Sequence, residues 1–425
     1  MILMGLMFVV LLVLGAPIGY TLFASSLLYI VIENLPLSVG LQRMIAGVYN
    51  FPLLAIPFFV LAGNLMNVGG ITKRIFRFAD VCVGHIPGGL GHVNVFASVI
   101  FAGMSGSAVA DAAGLGVVEI QAMREAGYDL DFSVAITAAS SVIGPIIPPS
   151  IIMVVYSVFS GASLGRMLVS GLLPGLLMGV VLSIMVYFHS KKKNYSVRKR
   201  VGLKEFLTVT ADAAPALMTP VILVCGIIFG IFTPTEAATV AALYALILGF
   251  ITHGLQIQDI PKILTETIHV TANITWIIAC SSLFGWVLTH MSVANTLVSA
   301  FQGSISNKFI AIIVLNICLL IVGVFMDNSA AVPIFTPVLV PVAVSYGLDP
   351  VHFGLIMVLN LILGLLTPPV GMVLFTLAGM NRMTVLHVAR ITFPYLIGLI
   401  VLLYIISFVP QIALFLPNLI YGNQF

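Results

Sequence analysis

The stretches IGPIIPPSI (143–151) and GLLTPPVG (364–371) lie 220 residues apart in register, and each places a Pro-Pro pair four residues after a glycine. The pairs are Pro148-Pro149 and Pro368-Pro369, after Gly144 and Gly364. Each interrupts a long apolar run, 131–158 or 351–378. Proline removes a backbone donor and leaves an upstream carbonyl unpaired. In hydrocarbon such a group is costly, so broken backbone persists only where protein or a polar cavity satisfies it. Two breaks at matched places therefore predict two parts of one site.

That the runs lie in hydrocarbon follows from composition. The chain has 425 residues, 60% hydrophobic and 7% charged, with mean hydropathy +1.19. An ordinary soluble domain is about a quarter charged. Soluble enzymes, nucleic-acid binders and disordered proteins are excluded. The apolar runs are long and continuous, unlike the ~10-residue alternating segments of an outer-membrane barrel. The length suits about ten to thirteen membrane segments. Met1 to Leu14 has no basic n-region and no small-residue cleavage site, so it reads as a mature helix. Cys82, Cys225, Cys280 and Cys318 are far apart and read as reduced packing thiols.

The match extends outward from the breaks. Gly103, Ala110, Val118, Gly127, Asp129, Ile136, Gly144, Pro148 and Pro149 recur as Gly323, Ala330, Val338, Gly347, Asp349, Ile356, Gly364, Pro368 and Pro369. Composition alone gives roughly four identities over this length; the kind of residue, glycine and paired proline, is the stronger signal. Candidate spans are 2–15, 18–32, 51–68, 131–158, 166–188, 215–232, 235–252, 273–290, 351–378 and 385–409. The stretches 93–124 and 309–346 have polar, glycine-rich or proline-rich centres and read as re-entrant hairpins. The expected organisation is a first repeat at 1–188, a cytoplasmic amphipathic connector at 189–214 and a second repeat at 215–425. Five crossings plus one hairpin per half make the second copy start on the opposite face. The fold class is an all-α integral membrane protein built as an inverted-topology repeat, as in secondary transporters.

Charge sorts by side under this topology. Fourteen basic residues fall on one side: Lys73, Arg74, Arg77, Arg124, Lys191, Lys192, Lys193, Arg198, Lys199, Arg200, Lys204, Lys262, Arg382 and Arg390. Only Arg43, Arg166 and Lys308 fall on the other. The positive-inside rule makes the first side cytoplasmic and the N-terminus periplasmic. The connector is either a solvated linker or an interfacial helix on anionic phospholipid, with Val201, Leu203, Phe206 and Leu207 as its apolar stripe. The interfacial helix is the favoured expectation. Thr235 is expected to cap the helix after Thr233-Pro234.

Four broken, polar places are expected to meet near the midplane: the tips 103–108 and 326–330, and the breaks 140–150 and 360–371. Carbonyls and Ser/Thr hydroxyls offer sodium the five or six oxygens it prefers. Half-helix N-termini offer free N–H groups to an anion. No Lys or Arg lies inside these segments. Asp327 is an intramembrane carboxylate, functional by default. Asp111 reads equally as a cap and as a functional group. Glu236 reads as a helix-start residue, and the eight histidines show no metal-ligand pairing.

At these residues the chain resembles the large membrane subunit of tripartite ATP-independent periplasmic (TRAP) transporters. The resemblance rests on FAGMSGSAVADAAGLG (101–116), IGPIIPPSI (143–151), GIFTPTEAA (230–238), FMDNSAA (325–331) and LTPPVG (366–371). It implies an unfused large subunit and an elevator mechanism. It implies sodium (Na+) as coupling ion and no organic cofactor. The implied partners are a small four-helix membrane subunit of the Q type and a soluble periplasmic substrate-binding protein of the P type, in the bacterial inner membrane. The cargo is a small carboxylate, sialic acid and C4-dicarboxylates both being open. One sodium site is implied at Ser105, Gly106, Ser107, Gly144 and Pro145. A second is implied at Gly323, Asp327, Asn328, Gly364, Thr367 and Pro368, with substrate held by Ser107, Ser140, Ser141, Asn328 and Asn360. The alternative is a stand-alone sodium/divalent-anion symporter without a binding protein. An intramembrane protease is disfavoured, because 103–107 is not G-x-S-x-G and no histidine lies in the breaks at 140–150 and 360–371.

Overall fold

A computed structural model describes residues 2–193, 195 and 200–422. Arg198 and Lys199 of the basic side lie outside these residues. The first half comprises α1 (Ile2–Val13), α2 (Ile18–Ile32), α3 (Leu37–Val48), α4 (Ala55–Val68), α5 (Ile71–Val83) and α6 (Gly89–Ser105). It continues with α7 (Ala108–Ala113), α8 (Leu115–Glu125), α9 (Leu130–Ser141), α10 (Ile151–Ser160), α11 (Leu164–Ser170) and α12 (Leu172–Lys193). The second half comprises α13 (Leu203–Ile228), α14 (Pro234–Ile251), α15 (Ile260–His290), α16 (Val293–Ser304) and α17 (Lys308–Phe325). It ends with α18 (Asn328–Ser345), α19 (Pro350–Gly364), α20 (Met372–Asn381), α21 (Val385–Phe408) and α22 (Pro410–Tyr421).

Moved by 220 residues, α5 falls on α16, α6 on α17, α7–α8 on α18, α9 on α19, α10 on α20 and α11–α12 on α21. Both hairpins return to the side they enter from. In the second, Lys308 Nζ donates to Gly347 O at 2.9 Å and the Tyr346 hydroxyl donates to Ile305 O at 2.7 Å, so entry and exit lie together. In the first, Asn94 Nδ2 on the entering limb donates to Glu119 Oε2 on the returning one at 2.8 Å.

The two hairpin bases lie on opposite faces. Arg166, just before α12, is 3.8 Å from Asp349 beside the second base. At the other end of α12, Lys193 bonds Asp129 beside the first base at 3.0 Å. The 22 residues of α12 span about 33 Å, a membrane thickness. The inverted repeat is thus visible in the helix order and in the pairs that close each base.

Several expectations need correction. Among the described residues eight helices are long and apolar enough to cross a membrane, both limbs of the second hairpin included, while the broken spans 131–158 and 351–378 are each a pair of shorter helices. The spans expected at 2–15 and 18–32 are helices of 12 and 15 residues. The span placed at 273–290 begins at Ile260, and the first hairpin begins at Gly89. Among the described residues the connector holds no separate interfacial helix. Residues 203–214 are the opening turns of α13, which runs unbroken to Ile228 past Pro215 and Pro220. A long membrane helix tolerates such prolines when neighbours pack against it; α14 does so here, and its Tyr244 hydroxyl donates to Pro215 O at 2.7 Å. The cap of α14 is Thr233, not Thr235. Its side chain accepts from Glu236 N while Glu236 reaches back to Thr233 N, with Pro234 at the first helical position. The short helices α3, α5, α16 and α22 were not expected as elements.

Packing divides the chain across the repeat. One group holds α1–α4 with α13–α15; the other holds α6–α12 with α17–α22. Helices α5 and α16 lie at the seam, α5 packing on α6 and α13, and α16 on α18 and α15. The ion pairs keep to the sides set by hydropathy: Lys193–Asp129, His387–Asp131 and Arg74–Asp212 on one, Arg166–Asp349 on the other. At Asp129 the hydrogen bonds from Lys193 and Tyr195 hold the carboxyl below its usual range.

Candidate functional site: a cavity between the two helix groups

A cavity of about 420 Å³ lies on the seam. The first group contributes Val60, Gly63, Asn64 and Asn67 of α4 and Val270, Asn273, Ile274 and Ile277 of α15. The second contributes the first tip from Ser105 to Ala110, Pro145 and Ile151 of the first break, Asp327 to Ser329 of the second tip, and Leu365 and Met372 flanking the second break. The first residues of α7, α10, α18 and α20 all line it, so four helix N-termini converge on one volume. No Lys or Arg lines it. Free N–H groups and aligned dipoles favour negative charge there.

The tips are built by local chemistry. Gly106 turns the chain at φ +62°. Ser107 caps α7, its hydroxyl accepting from Ala110 N. Asp327 caps α18, its Oδ2 accepting from Ser329 N at 3.0 Å, and still faces the cavity. Asn328 is buried, and its Oδ1 has no hydrogen-bond partner.

Behind the first tip, Asp111 joins tip to break. Its Oδ1 accepts from the Ser105 hydroxyl. Its Oδ2 lies against Gly144 without a hydrogen-bond partner. At the first break the Pro145 carbonyl is taken by the Ser150 hydroxyl, which also caps α10. The counterpart of Ser150 is Val370, and the second break is different: Pro368 to Val370 are exposed, whereas 141–150 are buried. Both Pro-Pro bonds are cis.

The structure gathers six of the expected site residues at the cavity: Ser105, Gly106, Ser107, Pro145, Asp327 and Asn328. Gly144 stands behind Pro145, against Asp111. The others lie off the cavity. Ser141 bonds Ala138 O at 2.9 Å within its own helix, and Thr367 bonds Leu363 O at 3.2 Å. Gly323 and Gly364 bring α17 and α19 into backbone contact, and Pro368 faces outward. Ser140 donates to Asn94 Oδ1 at 2.7 Å, and Asn360 Nδ2 donates to Asn316 Oδ1 at 2.8 Å. These two residues are 220 apart, and each ties a broken helix to the entering limb of its hairpin. We expect Asn360→Leu to lower stability by about 1 kcal/mol, since it removes the shorter of two buried hydrogen bonds to Asn316 Oδ1 and leaves the one from Ser407 at 3.3 Å. Thermal unfolding of the purified protein checks this, and Ser140→Ala should act in the same direction.

Sequence reasoning missed Asn64, Asn67 and Asn273, and left Asp111 undecided. A polar residue inside an apolar span was the available signal. Asn64 Nδ2 donates to Thr267 Oγ1 at 3.1 Å, joining α4 to α15.

Residues 5–412 match the family described as tripartite ATP-independent periplasmic transporter, DctM component. The chain is 42% identical over 410 residues to the sialic acid TRAP transporter large permease protein SiaM of Vibrio cholerae, covering 96% of each. It is 37% identical over 370 residues to the C4-dicarboxylate TRAP transporter large permease protein DctM of Pseudomonas aeruginosa, covering 87% of each. Among solved structures, the YdaH transporter of Alcanivorax borkumensis aligns with TM-score 0.63 over 87% of each chain at 11% identity, a likeness of fold.

Proposed function

The chain belongs to the DctM family of tripartite ATP-independent periplasmic transporters, and from that premise we propose that it imports a small organic anion on a sodium gradient across the bacterial inner membrane. The cargo is a carboxylate such as sialic acid or a C4-dicarboxylate. It is handed over by a periplasmic binding protein, and the chain works beside a small four-helix membrane subunit. The N-terminus is periplasmic and the 189–214 connector cytoplasmic.

The observation that carries this reading is the convergence of four helix N-termini on a cavity without basic side chains. Such a site holds a carboxylate through N–H groups and dipoles. The facing helix ends, α6 at Ser105 and α17 at Phe325, turn carbonyls toward the tips and suit a cation. One sodium fits Ser105, Gly106, Ser107, Gly144 and Pro145, and Asp111, bonded to Ser105 and set against Gly144, adds carboxyl oxygens to this set. The other draws on Asp327 and Asn328, the members of the second expected set that line the cavity. A sodium ion moving down 100 mV contributes about 2.3 kcal/mol, so two ions concentrate a monoanion strongly. The seam position of the cavity supports an elevator, in which α6–α12 and α17–α22 carry the site past the other group.

The test is uptake into proteoliposomes holding this chain and its small partner, with an inward sodium gradient. Binding proteins loaded with labelled sialic acid or succinate are added or omitted. Uptake should require sodium and one binding protein. Sodium-driven uptake with no binding protein would replace this reading with a stand-alone symporter. Asp327→Asn separates charge from capping, because asparagine caps as well as aspartate. We expect it to lose sodium-dependent uptake while α18 remains capped; wild-type sodium dependence would remove Asp327 from the site.

A further inference from the structure

A second chamber adjoins the cavity. It has a volume of about 400 Å³ and is lined by Asn67, Gly70, Thr72 and Lys73 with Ala110, Ala113, Gly114 and Val118 of the first hairpin. Asn67 and Ala110 belong to the walls of both. They form a neck between α4 of one helix group and α7 of the other. At that neck Asn67 Oδ1 is buried with no hydrogen-bond partner. It rests over Gly114, where a Cβ would stand 3.3 Å from it. Beyond the neck, Lys73 is exposed and forms no ion pair among the described residues. It lies on the side that carries fourteen of the seventeen basic residues.

We propose that these two chambers are one release path for the anion, with Asn67 as its neck and Lys73 as the cation that draws the anion out at the cytoplasmic mouth. The inference rests on the import reading above. Inside the cavity the anion meets no basic side chain, and Lys73 is the one that lines the second chamber. An exposed lysine acts through a screened field, so its effect must depend on charge and on the salt at its own side. A residue that only sets topology has no such dependence during transport.

The experiment uses the chain with its small partner in proteoliposomes, driven by sodium and an external binding protein loaded with labelled sialic acid or succinate. External binding protein selects molecules facing outward, so the lumen is the cytoplasmic side. At low lumenal ionic strength, Lys73→Gln should slow initial uptake about threefold and Lys73→Glu about tenfold, with Lys73→Arg unchanged. High lumenal salt should bring all three to within about twofold of wild type. Asn67→Asp, which sets a carboxylate in the neck, should block uptake at either salt. Unaltered uptake by Lys73→Glu, or a loss that lumenal salt does not relieve, overturns the proposal. Absence of uptake by the wild type with either binding protein is a failure of the import reading, seen before any variant is compared, and takes the release path with it.

Discussion

Gly106→Ala is expected to abolish transport while leaving the protein inserted. Gly106 sits at φ +62°, and a Cβ there would stand 2.5 Å from the Pro149 carbonyl oxygen. The left-handed conformation costs an L-residue about 1–2 kcal/mol. Overpacking against backbone that cannot rotate away adds about 1–3 kcal/mol. The strain is relieved only if the first tip withdraws from the first break. That withdrawal lifts Ser105 and Asp111 off Gly144 and opens the cavity wall. Gly127 is the control, with φ +83° and nothing within 4 Å of its Cβ position. Gly127→Ala carries the conformational cost alone and should still transport. Uptake in proteoliposomes, normalised to inserted protein, reads both. Wild-type uptake by Gly106→Ala would mean that the tip and the break do not act as one unit.

The largest loss of stability is expected from Gly364→Ala. A methyl group there would overlap the carbonyl carbon and oxygen of Gly323, and both partners are backbone. Gly323 is equally confined, its own Cβ position lying 3.0 Å from Leu361 Cα. Helices α17 and α19 must part to admit the methyl, which pulls Asn360 from Asn316. We expect about 3 kcal/mol or more, at the upper end for overpacking. Gly379→Ala is the contrast, since nothing lies within 4 Å of that position and alanine favours the helix. Thermal unfolding of the purified protein should separate the two clearly. An unchanged midpoint for Gly364→Ala would show that α17 and α19 are not held at backbone contact.

The breaks, the hairpins and the repeat were legible because each leaves a mark in sequence that needs no partner to be read. Proline pairs, glycines and a polar tip inside apolar runs are local facts. The site was legible only where it coincides with those marks, at Ser105 to Ser107, Pro145, Asp327 and Asn328. Ser140 and Asn360 looked like ligands because each is polar and lies in a broken span. Their hydrogen-bond partners lie 46 and 44 residues away, and no local signal pairs them. Asn64, Asn67 and Asn273 sit on helices of ordinary appearance and reach the site only because α4 and α15 pack there. The cap of α14 was misplaced by two residues, although Pro234 at the first helical position marks Thr233. The connector failed differently: an amphipathic stripe at 201–207 does not say whether the helix bearing it stops or continues into the bilayer.

The 220-residue spacing gives the molecule an internal control. Ser140 and Asn360 fasten the same joint in the two halves, while Gly144 with Gly364 and Ser150 with Val370 occupy matching places in the two breaks. One member of each pair belongs to a half that points one way through the bilayer, the other to a half that points the opposite way. A substitution and its counterpart therefore probe one joint under two environments. Equal effects belong to the joint itself. Unequal effects belong to the face of the membrane it looks toward, and Ser150 against Val370 is where the two copies have already diverged.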